Sequence, residues 1–136
     1  MSRQNVELVR HSMEAFARGD FATAFSAYDS GIEWSTAVDE PDAHTYRGTS
    51  ELRRFVASLG DLWADRFDGS MVFEELIGQG AWVVAPWAAR LRGRASGIEV
   101  EVTETYAVLV RNGRIARVEE HRTTQQALDA VARRQG

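Results

Sequence analysis

Apolar residues recur at helical spacing through the first half of this chain and at alternate positions through the second. Val6, Val9, Met13 and Phe16 form one stripe, flanked by Leu8 and Ser12, and predict a helix over residues 4–18. Gly19 suits its C-terminal stop. Asp20 then suits the N-cap of a second, short helix whose apolar side is Phe21, Ala24, Phe25 and Tyr28. Asp29-Ser30-Gly31 reads as a turn, and Ile32 to Thr36 as a short strand with Ile32 and Trp34 on one face. Residues 37–45 hold Pro41 and the acids Asp39, Glu40 and Asp42, and read as a loop. After Tyr46, Arg47 and Gly48, either Thr49 or Ser50 caps a third helix with Leu52, Phe55, Val56, Leu59 and Trp63 as its buried stripe.

From Ser70 onward the period is two. Met71, Phe73, Glu75 and Ile77 alternate with Val72, Glu74 and Leu76, and Gly78-Gln79-Gly80 turns the chain. Residues 81–91 predict a long strand. Pro86 has no N–H for a ladder, so an edge position or a bulge is expected there. After the Gly- and Arg-rich connection 92–97 comes the strongest local signal, two strand-like runs flanking Asn112-Gly113 within residues 98–122. Both turn residues tolerate the positive φ of a type I′ turn. A two-residue loop with uniform pairing sets Leu109 opposite Ala116, Ala107 opposite Val118, Thr105 opposite Glu120 and Thr103 opposite Arg122 on one face. The other face then carries Val108 with Arg117, Tyr106 with Glu119 and Glu104 with His121. Small residues giving way to Thr, Glu and Arg suggest a cavity wall. Residues 124–133 predict a short terminal helix. Three helices followed by antiparallel strands make an α+β domain.

The length of 136 residues suits a single domain over residues 1–136. The net charge of −4 argues against a sequence-independent nucleic-acid surface, which needs clustered cations. The absence of cysteine excludes disulfides and thiolate chemistry. No segment reads as a signal peptide or a membrane span, so a cytoplasmic protein is expected, with no membrane and no nucleic acid among its partners. No phosphate loop, serine elbow or dinucleotide fingerprint is present, and no histidine sits in a metal-ligand spacing; neither cofactor nor metal is expected.

RGDF at Arg18 to Phe21, GIEW at Gly31 to Trp34, YRG at Tyr46 to Gly48 and RNGRIARVEEH at Arg111 to His121 follow one another in an order that resembles the SnoaL-like branch of the NTF2-like superfamily. The resemblance spans nearly the whole chain. It implies a cone-shaped fold, with N-terminal helices packed on a curved antiparallel sheet around an internal pocket. It also implies a homodimer through the outer sheet face, where the parity derived above would place Trp87, Tyr106 and His121. Relatives include ketosteroid isomerases, limonene-epoxide-hydrolase-like enzymes, polyketide cyclases, dehydratases and pure binding domains. The isomerase base falls on Thr36 here, its oxyanion-hole tyrosine on Ser12 and its oxyanion-hole acid on Thr105. None of these is a tuned acid or base, so that mechanism is not expected. Of the epoxide hydrolase set, Glu120 matches one aspartate, the other falls on Arg90 or on nothing, and the arginine falls on Ala88.

Glu120 is the candidate catalytic group, as general base or anchor; the plainer reading is a buried carboxylate neutralised by Arg122, Arg90 or Thr105. Arg90 and Arg122 are candidates for drawing in an oxygenated ligand, or for rim salt bridges. Thr103, Thr105, Ser12 and Thr36 are candidate polar contacts. Trp34, Tyr46, Phe55 and Trp63 would line an apolar pocket or form plain core. Three functions stay open: a cofactor-independent enzyme acting on a small apolar oxygenated compound, a non-catalytic binder of such a compound, and a dimeric assembly module.

Overall fold

The computed structural model describes residues 2–36 and 43–135; the expected acidic loop with Asp39, Glu40 and Asp42 lies outside them. Among the described residues, eleven elements follow one another in the order α1 (Ser2–Ala17), α2 (Phe21–Ser26), β1 (Tyr28–Ser35), β2 (Thr45–Arg47), α3 (Gly48–Leu62), β3 (Val72–Phe73), β4 (Ile77–Gln79), β5 (Trp82–Arg92), β6 (Glu99–Arg111), β7 (Arg114–His121) and α4 (Thr124–Gln135).

The helices end where the sequence punctuates them. Gly19 takes φ +83°, and the amides of Gly19 and Asp20 bond back to the carbonyls of Phe16 and Ala15, closing α1 through the left-handed residue that favours glycine. Asp20 then caps α2, its carboxylate accepting the Thr23 amide. The third helix starts differently from expectation. Neither Thr49 nor Ser50 caps it; Arg47 is the N-cap, and the Glu51 carboxylate reaches back to accept the Arg47 amide at 2.8 Å.

The seven strands form one mixed sheet in the order β2-β1-β7-β6-β5-β3, with β4 also on β5. The chain enters β1 already at Tyr28, and Asp29 to Gly31 belong to the strand rather than to a turn. β1 runs parallel to β7, with an irregularity between Tyr28 and Glu33, so the sheet is not wholly antiparallel. Pro86 lies where its neighbour bulges, as expected: Phe73 pairs with Trp87 and Ile77 with Val84, so three residues oppose Ala85 and Pro86. Its strand pairs with β6 in unbroken register, and Pro86 falls opposite the gap between β3 and β4, where no ladder asks for its N–H. Its carbonyl accepts the Glu74 amide instead.

The hairpin turn forms as expected, with Asn112 at φ 54° and Gly113 at φ 73°. The pairing beyond it does not stay uniform. Val110 faces Ile115, but Leu109 faces Arg117, leaving Ala116 as an extra residue in β7. A bulge of one residue exchanges the faces of everything beyond it. Val108 therefore faces Val118, Tyr106 faces Glu120, Ala107 faces Glu119 and Thr105 faces His121. The inner face carries Val83, Ala85, Trp87, Tyr106, Val108, Ile115 and Val118, packed with Val9, Met13 and Phe16 of α1 and with Leu52 and Phe55 of α3.

Part of the outer face is covered by α4. Ala127 and Val131 pack on Trp82, Val84 and Ala107. Glu119 and His121, both buried there, bond each other at 3.4 Å. Arg117 and Arg134 also pair with Glu119, and the Arg134 guanidinium stands 5.1 Å over the Trp82 ring. Burial alone would raise the Glu119 carboxyl; the bonds from His121 and Arg134 outweigh it and hold the group below its ordinary value. Trp87 and Tyr106, expected on this outer face, point inward and are 3% and 1% exposed. A partner meeting the outer face would meet α4 and the exposed Arg90, Glu101 and Thr103, not those two side chains.

Candidate functional site

A cavity of about 500 Å³ opens between α3 and the inner face of the sheet. Its apolar wall combines Phe55, Leu59 and Trp63 from α3 and its C-cap with Trp87, Leu91 and Val102 from β5 and β6; Leu62, 62% exposed, stands at its edge. Its polar groups are Glu104, Glu120, Arg66 and Thr36.

The bulge at Ala116 is what sets Glu120 beside Tyr106 and on the same face as Glu104. Glu104 lies two residues along β6 from the partner of Glu120, so the two glutamates are diagonal neighbours on one face of the sheet. Glu120 is 8% exposed, and its Oε2 accepts the Trp34 indole N–H at 2.7 Å. Trp34 is placed for this by the parallel pairing of β1 with β7, which sets it opposite Val118. Phe16, Phe55 and Tyr106 pack around its ring at 5.3, 6.0 and 5.2 Å, so the indole has little freedom to leave.

Arg66 comes from the segment between α3 and β3, which is tied down at both ends. The Ala64 amide bonds the Arg92 carbonyl, Asp65 accepts the Arg92 amide, and the Gly69 amide bonds the Ala17 carbonyl. Held there, Arg66 is 4% exposed. Its Nη1 donates to the Met71 sulfur at 3.2 Å and its Nη2 to the Tyr106 hydroxyl at 3.4 Å. The rings of Phe67, Trp87 and Phe16 surround the guanidinium at 5.0, 5.2 and 5.8 Å. Burial pushes the Tyr106 phenol well above its ordinary value, keeping it a neutral hydroxyl. The Trp87 indole N–H is buried without an acceptor among the described residues.

The residues singled out from sequence divide accordingly. Glu120, Thr36, Phe55 and Trp63 line the cavity. Trp34 stands behind it as the donor to Glu120. Tyr46 stacks on Phe55 at 4.6 Å, one layer back. Ser12 donates to the Ala24 carbonyl at 2.9 Å and ties α1 to α2. Thr105, expected opposite Glu120, is on the outer face with its hydroxyl 3.0 Å from that of Thr124. Thr103 shares that face and is exposed. Arg90 points outward too, pairing with Glu101 at 2.8 Å and Glu99 at 3.9 Å. Arg122 is exposed beyond β7, its amide bonded to Gln126 at the start of α4. Glu104 and Arg66 were not anticipated. Glu104 was hidden by the uniform register, and Arg66 by its place in a stretch with no period, where an arginine between Asp65 and Asp68 looks solvated.

Comparison with known proteins places this geometry in context. A family model described as a SnoaL-like domain matches residues 9–118. An uncharacterised protein of Mycobacterium tuberculosis is 32% identical over 119 residues, covering 85% of this chain and 86% of that protein. An NTF2-like protein of Burkholderia thailandensis superposes with a TM-score of 0.75 at 25% identity, covering 93% of this chain and 96% of that one. TerC, crystallised with polyporic acid, superposes with a TM-score of 0.72 at 19% identity, covering 95% and 98%.

Proposed function

The chain belongs to the SnoaL-like domain family, and from that footing we propose that its cavity takes up a small, largely apolar, oxygenated compound and catalyses proton transfer or water addition on it without a cofactor. Glu120 is the proton acceptor. One observation carries this reading: the buried Glu120 carboxylate shares a single apolar-walled cavity with a second carboxylate, Glu104, and a guanidinium, Arg66. A general base needs a neighbour that stabilises the charge it creates, and a cation lining the same hollow suits that task. TerC, co-crystallised with polyporic acid, shares the fold and supports this reading by likeness of shape alone.

The test begins with native mass spectrometry of the purified protein to recover a compound carried from the expression host. That compound is then incubated with the protein in heavy water and followed by proton NMR. Wild type should exchange or convert a C–H or C–O position, and Glu120→Gln should slow this by about 10²–10⁴-fold while still binding the compound. Equal rates in the two proteins would refute the assignment. The Trp34 bond favours a second reading, in which Glu120 is held as a fixed anchor in a binding protein; a compound bound by wild type and left unchanged over hours would select it.

A further inference from the structure

Arg66 is the most unusual side chain in the molecule. It is 4% exposed, and among the described residues no carboxylate is in ion-pair contact with it. A buried cation is normally paired, because burial removes its hydration. A guanidinium has five N–H donors. Here one meets a thioether sulfur and another a phenol oxygen at 3.4 Å, both weak acceptors. The surrounding rings of Phe16, Phe67 and Trp87 hold the group in place without neutralising it. The adjoining Trp87 indole N–H has no acceptor among the described residues either. Both donors belong to side chains that line the same cavity.

We propose that Arg66 is the docking point for an anionic oxygen of the ligand, so that the cavity takes a flat aromatic or conjugated acid, carboxylate or acidic enol, rather than its neutral counterpart. This rests on the reading of the cavity as the ligand site and adds the ligand's charge and shape to it. The ligand's oxygens supply the acceptors that the protein withholds, in the forked arrangement that guanidinium groups favour. Its ring lies along Phe55, Trp63 and Trp87, which make the apolar wall. With the anion fixed at Arg66, the rest of the ligand extends toward Glu104 and Glu120, where a neutral oxygenated end is tolerated and a second negative charge is not. The two glutamates thus turn a simple anion site into an orienting one.

Calorimetric titration with 2-naphthoate and with 2-naphthamide tests this at neutral pH, using wild type, Arg66→Met and Glu120→Gln. Wild type and Glu120→Gln should bind the carboxylate at least about tenfold more tightly than the amide, the difference expected of charge-assisted hydrogen bonds. Arg66→Met should lose that preference. In the absence of probe, Arg66→Met should melt no lower than wild type, because an apolar side chain replaces a buried unpaired charge. Equal binding of both probes by wild type, no binding of either, a preference that survives Arg66→Met, or a melting point well below wild type in that variant would each overturn the proposal. Loss of turnover in Glu120→Gln with the naphthoate preference intact, or the reverse, separates the fate of this inference from that of the catalytic reading.

Discussion

The bond from the Trp34 indole to Glu120 governs how that carboxylate behaves. A hydrogen bond to an ionised carboxylate contributes about 1.5–3 kcal/mol and favours the charged form. Trp34→Phe keeps a ring in the packed site between Phe16, Phe55 and Tyr106 but removes the donor. Trp34→Phe should therefore be less stable than wild type by about 1.5–3 kcal/mol in denaturant unfolding, because the buried Glu120 carboxylate loses its donor. Equal stability would show that the indole does not hold Glu120. Glu120 itself was legible in the sequence, since it follows Val118 at strand spacing. The identity of its neighbours was not, because that depended on a backbone irregularity at an alanine, a residue that gives no warning of one.

At the level of elements, the Ala116 bulge decides what the hairpin presents to each side. Deleting Ala116 removes the extra residue and leaves Leu109 opposite Arg117, Val108 opposite Val118 and Tyr106 opposite Glu120, so every side chain keeps its face. The deletion should therefore still unfold in a cooperative denaturant transition, and Ala116→Ser should fold normally because only a half-buried side chain changes. Loss of that transition in the deletion would show that the bulge itself is needed. The helices and the turn were readable because each is announced by local chemistry: Gly19, Asp20 and the Asn112-Gly113 pair. The path of β1 was not, because Asp29-Ser30-Gly31 has the composition of a turn while the pairs on either side of it, Tyr28 with Ile115 and Glu33 with Arg117, hold the chain along β7.

The molecule as a whole is a cone whose hollow is held by α1 and α3 on one side of the sheet and whose back is partly covered by α4. Glu119 is the ionic centre of that cover, buried between His121, Arg117 and Arg134. Its carboxyl is held below the ordinary 4.5, so it stabilises the fold fully above that value, and this contribution is lost as pH falls through the lower folded-state value. Glu119→Gln should be less stable than wild type by about 2 kcal/mol near neutral pH, a figure set below that of fully buried pairs because both arginines are partly exposed. In thermal denaturation the gap between the two proteins should narrow steadily below about pH 4.5. A gap independent of pH would mean the carboxylate's charge is not what fastens α4. The outer cover was not foreseeable from the C-terminal segment alone, whose pattern predicts a helix but not the face it covers.

Three of the four indoles adjoin the hollow: Trp63 and Trp87 line it, and Trp34 touches the carboxylate that does. The fourth, Trp82, lies beneath α4 on the far side of the sheet. Intrinsic emission is thus a ready-made optical gauge of whether the chamber is empty or filled, with one remote fluorophore as background, and an unlabelled compound library can be screened by watching the protein's own light change colour.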